Sequence, residues 1–454
     1  MMKNEIYNLK DISQFIAVIL NIDEQNFIYK VEENAYIPIS ENVSLYLRGK
    51  NIILSSEESE FVENIKNWIN KPIKNDYGSF IPKTFILKLI PTLRCNLHCS
   101  YCFAKNKTSE FDMSVETAKL AIDFFLNHFN CFENCTYIVD LTGAGEPLLR
   151  FDFILEVNKY VKIIEKSKKI HIYCQMATNG MLLNSEISKI IQEAGIIFGV
   201  SLDGDKNSSE NRNGLDYYLV EKNIDAVKYK DFFGLAATYD GFNNDIISMF
   251  NSLNAFEPSV IGIKPARLPS SHKNAINEKN IDKVLFSYKK FAEYLYDLLN
   301  KKKLDVWNRF IKSEDYFARF LKIMLRKTKV RYRCSAGINS FSVDSNGNIL
   351  ICPVFMGIEE YKLGTIKEGF CLKKLEELQA LYADNIEKCK ICWAKNACAG
   401  ECFNVSYLNS GNLNTPNETM CMLKKYLIQL SMYFWTALKI NNPILYKYCK
   451  DSIK

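Results

Sequence analysis

The stretch "TFILKLIPTLRCNLHCSYCF", residues 84–103, runs from an apolar segment straight into a loop that holds Cys95, Cys99 and Cys102 within eight positions. Its first part predicts a strand and its second a metal-binding loop at the strand's carboxyl end. The same rhythm repeats downstream. Strand candidates at 84–90, 137–143, 171–180, 196–204, 233–239 and 260–266 alternate with helix candidates at 114–129, 151–167, 184–195, 217–229, 244–255 and 280–303. In the helix candidates apolar residues recur every three or four positions. Such alternation implies a parallel sheet with crossover helices. Six units are too few for a closed eight-fold barrel but enough for an open, partial one, whose chemistry sits on loops at the strands' carboxyl ends. The polar oddities fall at those ends: the cysteine loop after the first strand, "GAGEP" (143–147) after the second, "TNG" (178–180) after the third and "SLDG" (201–204) after the fourth.

Composition bounds the rest. A chain of 454 residues implies two or three domains, and 48% hydrophobic with 24% charged residues excludes a disordered chain. The net charge of +6 comes without a basic stripe, which argues against nucleic acid. The start does not read as a signal peptide. The longest apolar run, 426–440, is interrupted by Gln429 and falls short of the roughly 20 residues that span a bilayer. The expectation is a cytoplasmic protein without a membrane partner. There disulfides are rare, so fifteen cysteines bunched in two places read as metal ligands.

Ahead of residue 84 lies a separate piece, with strands expected at 15–21, 26–31 and 43–49 and a helix over 55–70 capped by Ser55 or Ser56. Residues 71–83 read as a linker. The expected domains are 1–82, a small α+β domain; 83–305, the partial barrel; 306–333, a helical bridge; and 334–454, a cysteine-rich domain.

Each iron of a four-iron four-sulfur cluster wants one external ligand, so three cysteines leave one iron open. A zinc ion on the same cysteines with His98, or three structural thiols, are the alternatives. The Cys-x3-Cys-x2-Cys loop, with Tyr101 and Phe103 beside it, resembles the signature of the radical S-adenosylmethionine (SAM) superfamily. The resemblance implies a six-unit α/β partial barrel in which Cys95, Cys99 and Cys102 hold the catalytic cluster. The open iron there binds SAM and splits it to a 5′-deoxyadenosyl radical. It further implies cofactor contacts from Phe103, from Gly143, Gly145 and Glu146 of a Gly-Gly-Glu-like motif that has Ala144 in place of glycine, and from Ser201, Asp203 and Arg212. On the residues alone, Glu146 and Asp203 read equally well as caps and turn formers.

The second group comprises Cys334, Cys352 after Gly347, then Cys389, Cys392, Cys398, Cys402 and Cys421. A zinc ribbon explains Cys389 and Cys392 alone. The whole spacing resembles the SPASM extension, which carries two auxiliary four-iron four-sulfur clusters, three clusters in all. By that resemblance Cys334, Cys352 and Cys402 hold the first, and Cys389, Cys392, Cys398 and Cys421 the second. Fully ligated relatives have another cysteine just before the position of Cys334, where this chain reads "KVRYR" (329–333), so the first auxiliary cluster is expected to keep an open iron unless Cys371 or another cysteine closes it. Cys131, Cys135, Cys174 and Cys449 fit no cluster pattern and read as ordinary buried thiols.

SPASM relatives modify peptides and proteins. Sulfatase-maturing members place an aspartate base just after the position of Cys352, where this chain has Pro353. The expectation is therefore a maturase that forms a cysteine thioether in a ribosomally made precursor peptide. Carbon-carbon linkage, epimerisation or formylglycine formation are the alternatives, and an iron-sulfur electron carrier or sensor is the non-enzyme one. Partners implied are a leader-bearing precursor, with 1–82 as its receptor, and a reductant such as flavodoxin or ferredoxin. The basic run 308–333 reads as a solvated amphipathic helix.

Overall fold

The structure is a computed structural model that describes residues 7–8, 17–71, 82–104, 112–129, 134–313 and 315–453. Fourteen strands in it form two sheets. β1 (Tyr7–Asn8), β2 (Ala17–Ile22), β3 (Gln25–Lys30) and β4 (Ala35–Ile39) make an antiparallel meander. The barrel strands are β5 (Thr84–Leu89), β6 (Thr136–Asp140), β7 (His171–Thr178), β8 (Ile197–Ser201), β9 (Phe233–Tyr239) and β10 (Val260–Pro265). They lie side by side in chain order, all parallel. The helices Val115–His128, Phe151–Lys168, Ser185–Glu193, Tyr217–Asp225, Ile246–Asn254 and Ile281–Asn300 follow them one by one. The expected six-unit partial barrel is what the chain forms.

Strand alternation decides which face meets the helices. In β5, Phe85, Leu87 and Leu89 are buried while Thr84, Ile86 and Lys88 are half-buried. The same alternation holds along β7 and β9. The first set packs on helices such as Val115–His128, which Ser114 caps and which buries Ala118, Ala121, Ile122, Phe125 and Leu126 at helical spacing. The second set lines the barrel's interior.

The cysteine-rich part is joined to the barrel by hydrogen bonds as well as by the chain. β11 (Ser340–Val343) pairs parallel with β5, and β12 (Asn348–Leu350), β13 (Lys362–Thr365) and β14 (Gly369–Phe370) extend the same sheet antiparallel. This covers the edge of β5, an edge that would otherwise stay unpaired, and brings Cys352, two residues past β12, beside the barrel.

Three expectations are corrected. Residues 41–47 form a helix, not a strand: Ser40 caps it by accepting from the Val43 N–H at 3.2 Å, and Val43, Ser44 and Leu47 turn inward. The third full strand is instead β4, whose Pro38 is tolerated because β4 is an edge. The bridge is not solvated. Within Tyr316–Arg326, eight residues are buried, among them Phe317, Phe320, Leu321 and Met324. Nor does the N-terminal piece stand apart. One face of its sheet packs on its own helices through Ile19, Ile28, Val62 and Ile65, and the other joins the main core. Tyr29 meets Trp393 edge-on at 5.6 Å, and Asn34 and Asn396 exchange side-chain hydrogen bonds with backbone carbonyls across the junction. The helix Ser56–Asn70 matches expectation, with Ser55 and Glu58 forming a reciprocal capping box. Residues 72–81 of the expected linker, and Cys131, lie outside the described residues.

Among the described residues no helix is long and apolar enough to cross a membrane.

Candidate functional site

The cysteine loop is fastened on three sides. From β6, the Gly145 N–H donates to the Thr92 carbonyl at 3.1 Å and the Glu146 N–H to the Arg94 carbonyl at 2.9 Å. From the end of β7, the Asn179 side-chain amide donates to Asn96 Oδ1 at 2.7 Å and approaches the Cys95 sulfur at 3.8 Å. From the segment after β8, the backbone carbonyls of Asn211 and Asn213 accept from the N–H groups of Ser100 and His98. The thiols of Cys95 and Cys99 are pushed up by burial, Cys99 to about 11, and each also feels the Cys102 sulfur. Three sulfurs therefore converge at one rim, at the carboxyl ends of β5, β6 and β7.

The two glycines of "GAGEP" are needed for different reasons. Gly143 sits at φ +60°, the left-handed region that side chains disfavour. A Cβ on Gly145 would lie 2.4 Å from the Arg94 carbonyl and 2.7 Å from that of Thr92. Ala144 between them is outside the left-handed region, and it packs against the small cluster of Ile90, Leu350 and Met356, so the departure from glycine is accommodated. Gly145→Ala is expected to push the cysteine loop off its wall. The check is iron retained after reconstitution, which should fall several-fold.

Glu146 is buried, and its carboxylate accepts from Thr178 Oγ1 at 2.7 Å, the Asn179 N–H at 2.8 Å and the Leu148 N–H at 3.0 Å. Both oxygens are engaged within the protein, tying the β6 end to the β7 end. Asp203, fully buried, accepts from Arg212 at 2.8 Å, from the Thr238 N–H at 2.8 Å and from the Tyr101 hydroxyl. The Arg212 guanidinium also lies 5.7 Å from the Tyr101 ring, and its Nε is buried without a hydrogen-bond partner. Asp203 and Arg212 thus anchor Tyr101, a cysteine-loop residue, to β9. Ser201 ends β8 half-buried, and Phe103, 40% exposed, stands at the open end of the loop. Sequence reasoning missed the loop's real fasteners, Thr178, Asn179 and Asn211. The polar "TNG" at a strand end was the available signal for the first two.

The C-terminal cysteines separate into two groups in space. Burial pushes the Cys352 thiol up to about 12, with Cys402 and Cys334 adding and Lys88 opposing. Burial likewise raises Cys389 and Cys421 to about 12, Cys389 feeling Cys398 and Cys392, and Cys421 feeling Cys398 and Cys389. Cys389, Cys392, Cys398 and Cys421 line one cavity of about 500 Å³, which β2 borders through Ile19, Leu20 and Asn21. The cavity is lined by the four cysteines that the SPASM resemblance assigns to one cluster, and a donor set of clustered sulfur suits iron-sulfur chemistry. Among the described residues no group of three or more His, Cys, Asp or Glu is arranged to hold a single metal ion. Cys135, Cys174 and Cys449 are buried apart from these groups.

Comparison with known proteins adds the following. Residues 89–245 match the sequence profile of the Radical SAM superfamily. The cysteine-type anaerobic sulfatase-maturating enzyme of Clostridium novyi is 28% identical over 299 residues, covering 60% of this chain and 74% of the relative. The radical SAM cyclopropyl synthase TigE of Paramaledivibacter caminithermalis is 24% identical over 455 residues, covering 94% of this chain and 88% of the relative. Among solved structures, anSMEcpe with bound AdoMet superposes with a TM-score of 0.60 at 20% identity, covering 81% of this chain and 100% of that one. SuiB of Streptococcus suis bound to S-adenosylmethionine superposes at 0.51 and 13% identity, covering 89% of this chain and 98% of that one. Both structural likenesses concern the fold.

Proposed function

We propose that this chain, an enzyme of the radical SAM superfamily, is a SPASM-type maturase that joins a peptide cysteine to a neighbouring residue of the same peptide through a thioether. Cys95, Cys99 and Cys102 would hold the four-iron four-sulfur cluster to which SAM binds. When bound, that cluster supplies the electron that splits SAM into methionine and a 5′-deoxyadenosyl radical. The protein's own part is placement. Gly143 and Gly145 let the chain after β6 pass close to the cysteine loop, Glu146 ties that segment to the end of β7, and Asp203 with Arg212 keeps Tyr101 and hence the loop from shifting. Ser201 and Phe103 lie on the same rim for cofactor contact.

What supports the thioether reading is a buried Cys352 under the influence of Cys402 and Cys334 and followed directly by Pro353. A three-thiol site leaves room for a substrate thiolate, and proline supplies no base of the kind the sulfatase-maturing relatives use. Cys389, Cys392, Cys398 and Cys421 would hold the other auxiliary cluster. β4, an edge of the N-terminal sheet among the described residues, is the strand on which a leader peptide would add, and a flavodoxin or ferredoxin would serve as reductant.

A second reading is carbon-carbon bond formation, favoured by the cyclopropyl synthase that aligns with 94% of this chain. Reconstituted enzyme, dithionite and SAM, with cysteine-bearing peptides encoded beside the gene, separate the two. A product lighter by two hydrogens whose thiol resists alkylation supports the thioether. The same mass loss from a peptide with its cysteine replaced by alanine supports the carbon-carbon link. No 5′-deoxyadenosine with any peptide overturns both.

A further inference from the structure

Between the two auxiliary cysteine groups lies a knot of charge that the proposed function does not use. Lys424 stands one turn beyond Cys421 and is 1% exposed. Its ammonium pairs with Glu401 at 2.6 Å and donates to the Gly400 carbonyl at 3.2 Å. Glu401 sits between Cys398 and Cys402 in the chain. Its Oε1 also accepts from the Cys402 N–H at 2.6 Å, while its buried Oε2 has no hydrogen-bond partner. The Tyr316 ring has Arg333 at 4.7 Å and Lys424 at 5.8 Å. Arg333 precedes Cys334, is within electrostatic reach of Cys398, Glu401 and Cys402, and keeps its Nε buried without a hydrogen-bond partner. Arg267, two residues past β10, acts on Cys402 and Cys352 from the barrel side. Two cations, Lys424 and Arg333, thus converge on the Glu401 carboxylate, while Arg267 faces the sulfurs of Cys402 and Cys352.

Stability does not account for this arrangement. A buried Lys–Glu pair is commonly no better than apolar side chains of the same volume, and further cations without a carboxylate of their own add a desolvation cost. The negative charge that answers them is sulfur, since cysteines that bind iron do so as thiolates.

We propose that Lys424 and Arg333 are positioning residues whose fixed positive charge raises the reduction potential of the iron-sulfur groups at the two auxiliary sites, with Glu401 acting in the opposite sense. This rests on reading the seven C-terminal cysteines as cluster ligands. The sign follows from Coulomb's law: a nearby cation favours the state that carries one more electron.

The test uses the full chain with Cys95, Cys99 and Cys102 replaced by alanine, so that the iron observed is auxiliary, reconstituted anaerobically. Iron and sulfide are measured, and midpoint potentials follow from a titration read by electron paramagnetic resonance. Lys424→Met should lower the reduced-to-oxidised ratio at a fixed potential about tenfold, which is about 59 mV for a one-electron couple. Lys424→Arg should restore it to within about twofold. Glu401→Gln should move the potential upward, and carries the test if Lys424→Met does not load iron. Iron-loaded variants whose potentials do not move, or in which Glu401→Gln moves the potential downward, overturn this proposal alone. A parent protein that takes up no auxiliary iron overturns the ligand reading beneath it as well.

Discussion

Replacing Cys99 by alanine is expected to reduce 5′-deoxyadenosine formation to the uncatalysed background while leaving the auxiliary iron in place. On the proposed function the cysteine loop would provide three sulfurs to a cluster that needs all three, and neither His98, whose side chain is exposed, nor Asn96, held by Asn179, is set to replace one. Cys95→Ala and Cys102→Ala should behave alike. The loop is secured by backbone and amide contacts rather than by the thiols themselves, so circular dichroism and the melting temperature should change little. Cys174→Ala is the informative control. That thiol is buried in β7 and pushed up to about 12 by burial, remote from every cysteine group. It should leave deoxyadenosine formation intact and cost only the stability of a small cavity. Full turnover by Cys99→Ala protein would sink the site assignment.

The second large effect is expected at Asp203. This carboxylate is fully buried and meets Arg212, Tyr101 and the Thr238 N–H at once. Truncation to alanine leaves a buried guanidinium and a phenol without their acceptor, which costs about 3–5 kcal/mol by the general behaviour of broken buried ion pairs. Against a typical net stability of about 5–15 kcal/mol this is a large share, to be read from chemical denaturation of the iron-free chain. Asp203→Asn keeps an acceptor for Thr238 but not the charge, and should fall between wild type and Asp203→Ala. If Asp203→Ala left stability unchanged and weakened only SAM binding, Asp203 would be a cofactor contact instead of an anchor.

The six barrel units were legible because each strand is short and followed by a helix with an apolar stripe, four of the six helices having a side-chain cap from Ser114, Asn184, Asp216 or Asp245, so local pattern and tertiary role agree. The segment 41–47 was not. "VSLYL" fits a period of two as well as one of 3.6, and what decides is Ser40 capping the Val43 N–H and the burial of Val43 and Leu47 on one side. The bridge helix Tyr316–Arg326 misled in another way. Its basic residues suggested a wet surface, yet Lys322 reaches back to the Ser313 carbonyl and the remaining faces are buried under the long helix Glu418–Asn441.

The sequence alone placed Cys95, Cys99 and Cys102 in one loop, close enough along the chain to serve one cluster, while the grouping of the seven C-terminal cysteines came from the SPASM resemblance; it also placed the glycine, asparagine and aspartate motifs at strand ends because strand length fixes where a turn must come. Tertiary structure alone decided what the polar residues do there. Glu146, Asp203 and Arg212 are spaced as cofactor ligands in the chain but meet protein partners in space, and Lys424, Glu401 and Arg333, far apart or unremarked in sequence, converge between two sulfur groups. A side chain's partner across the fold depends on how helices and strands pack, which no local pattern encodes.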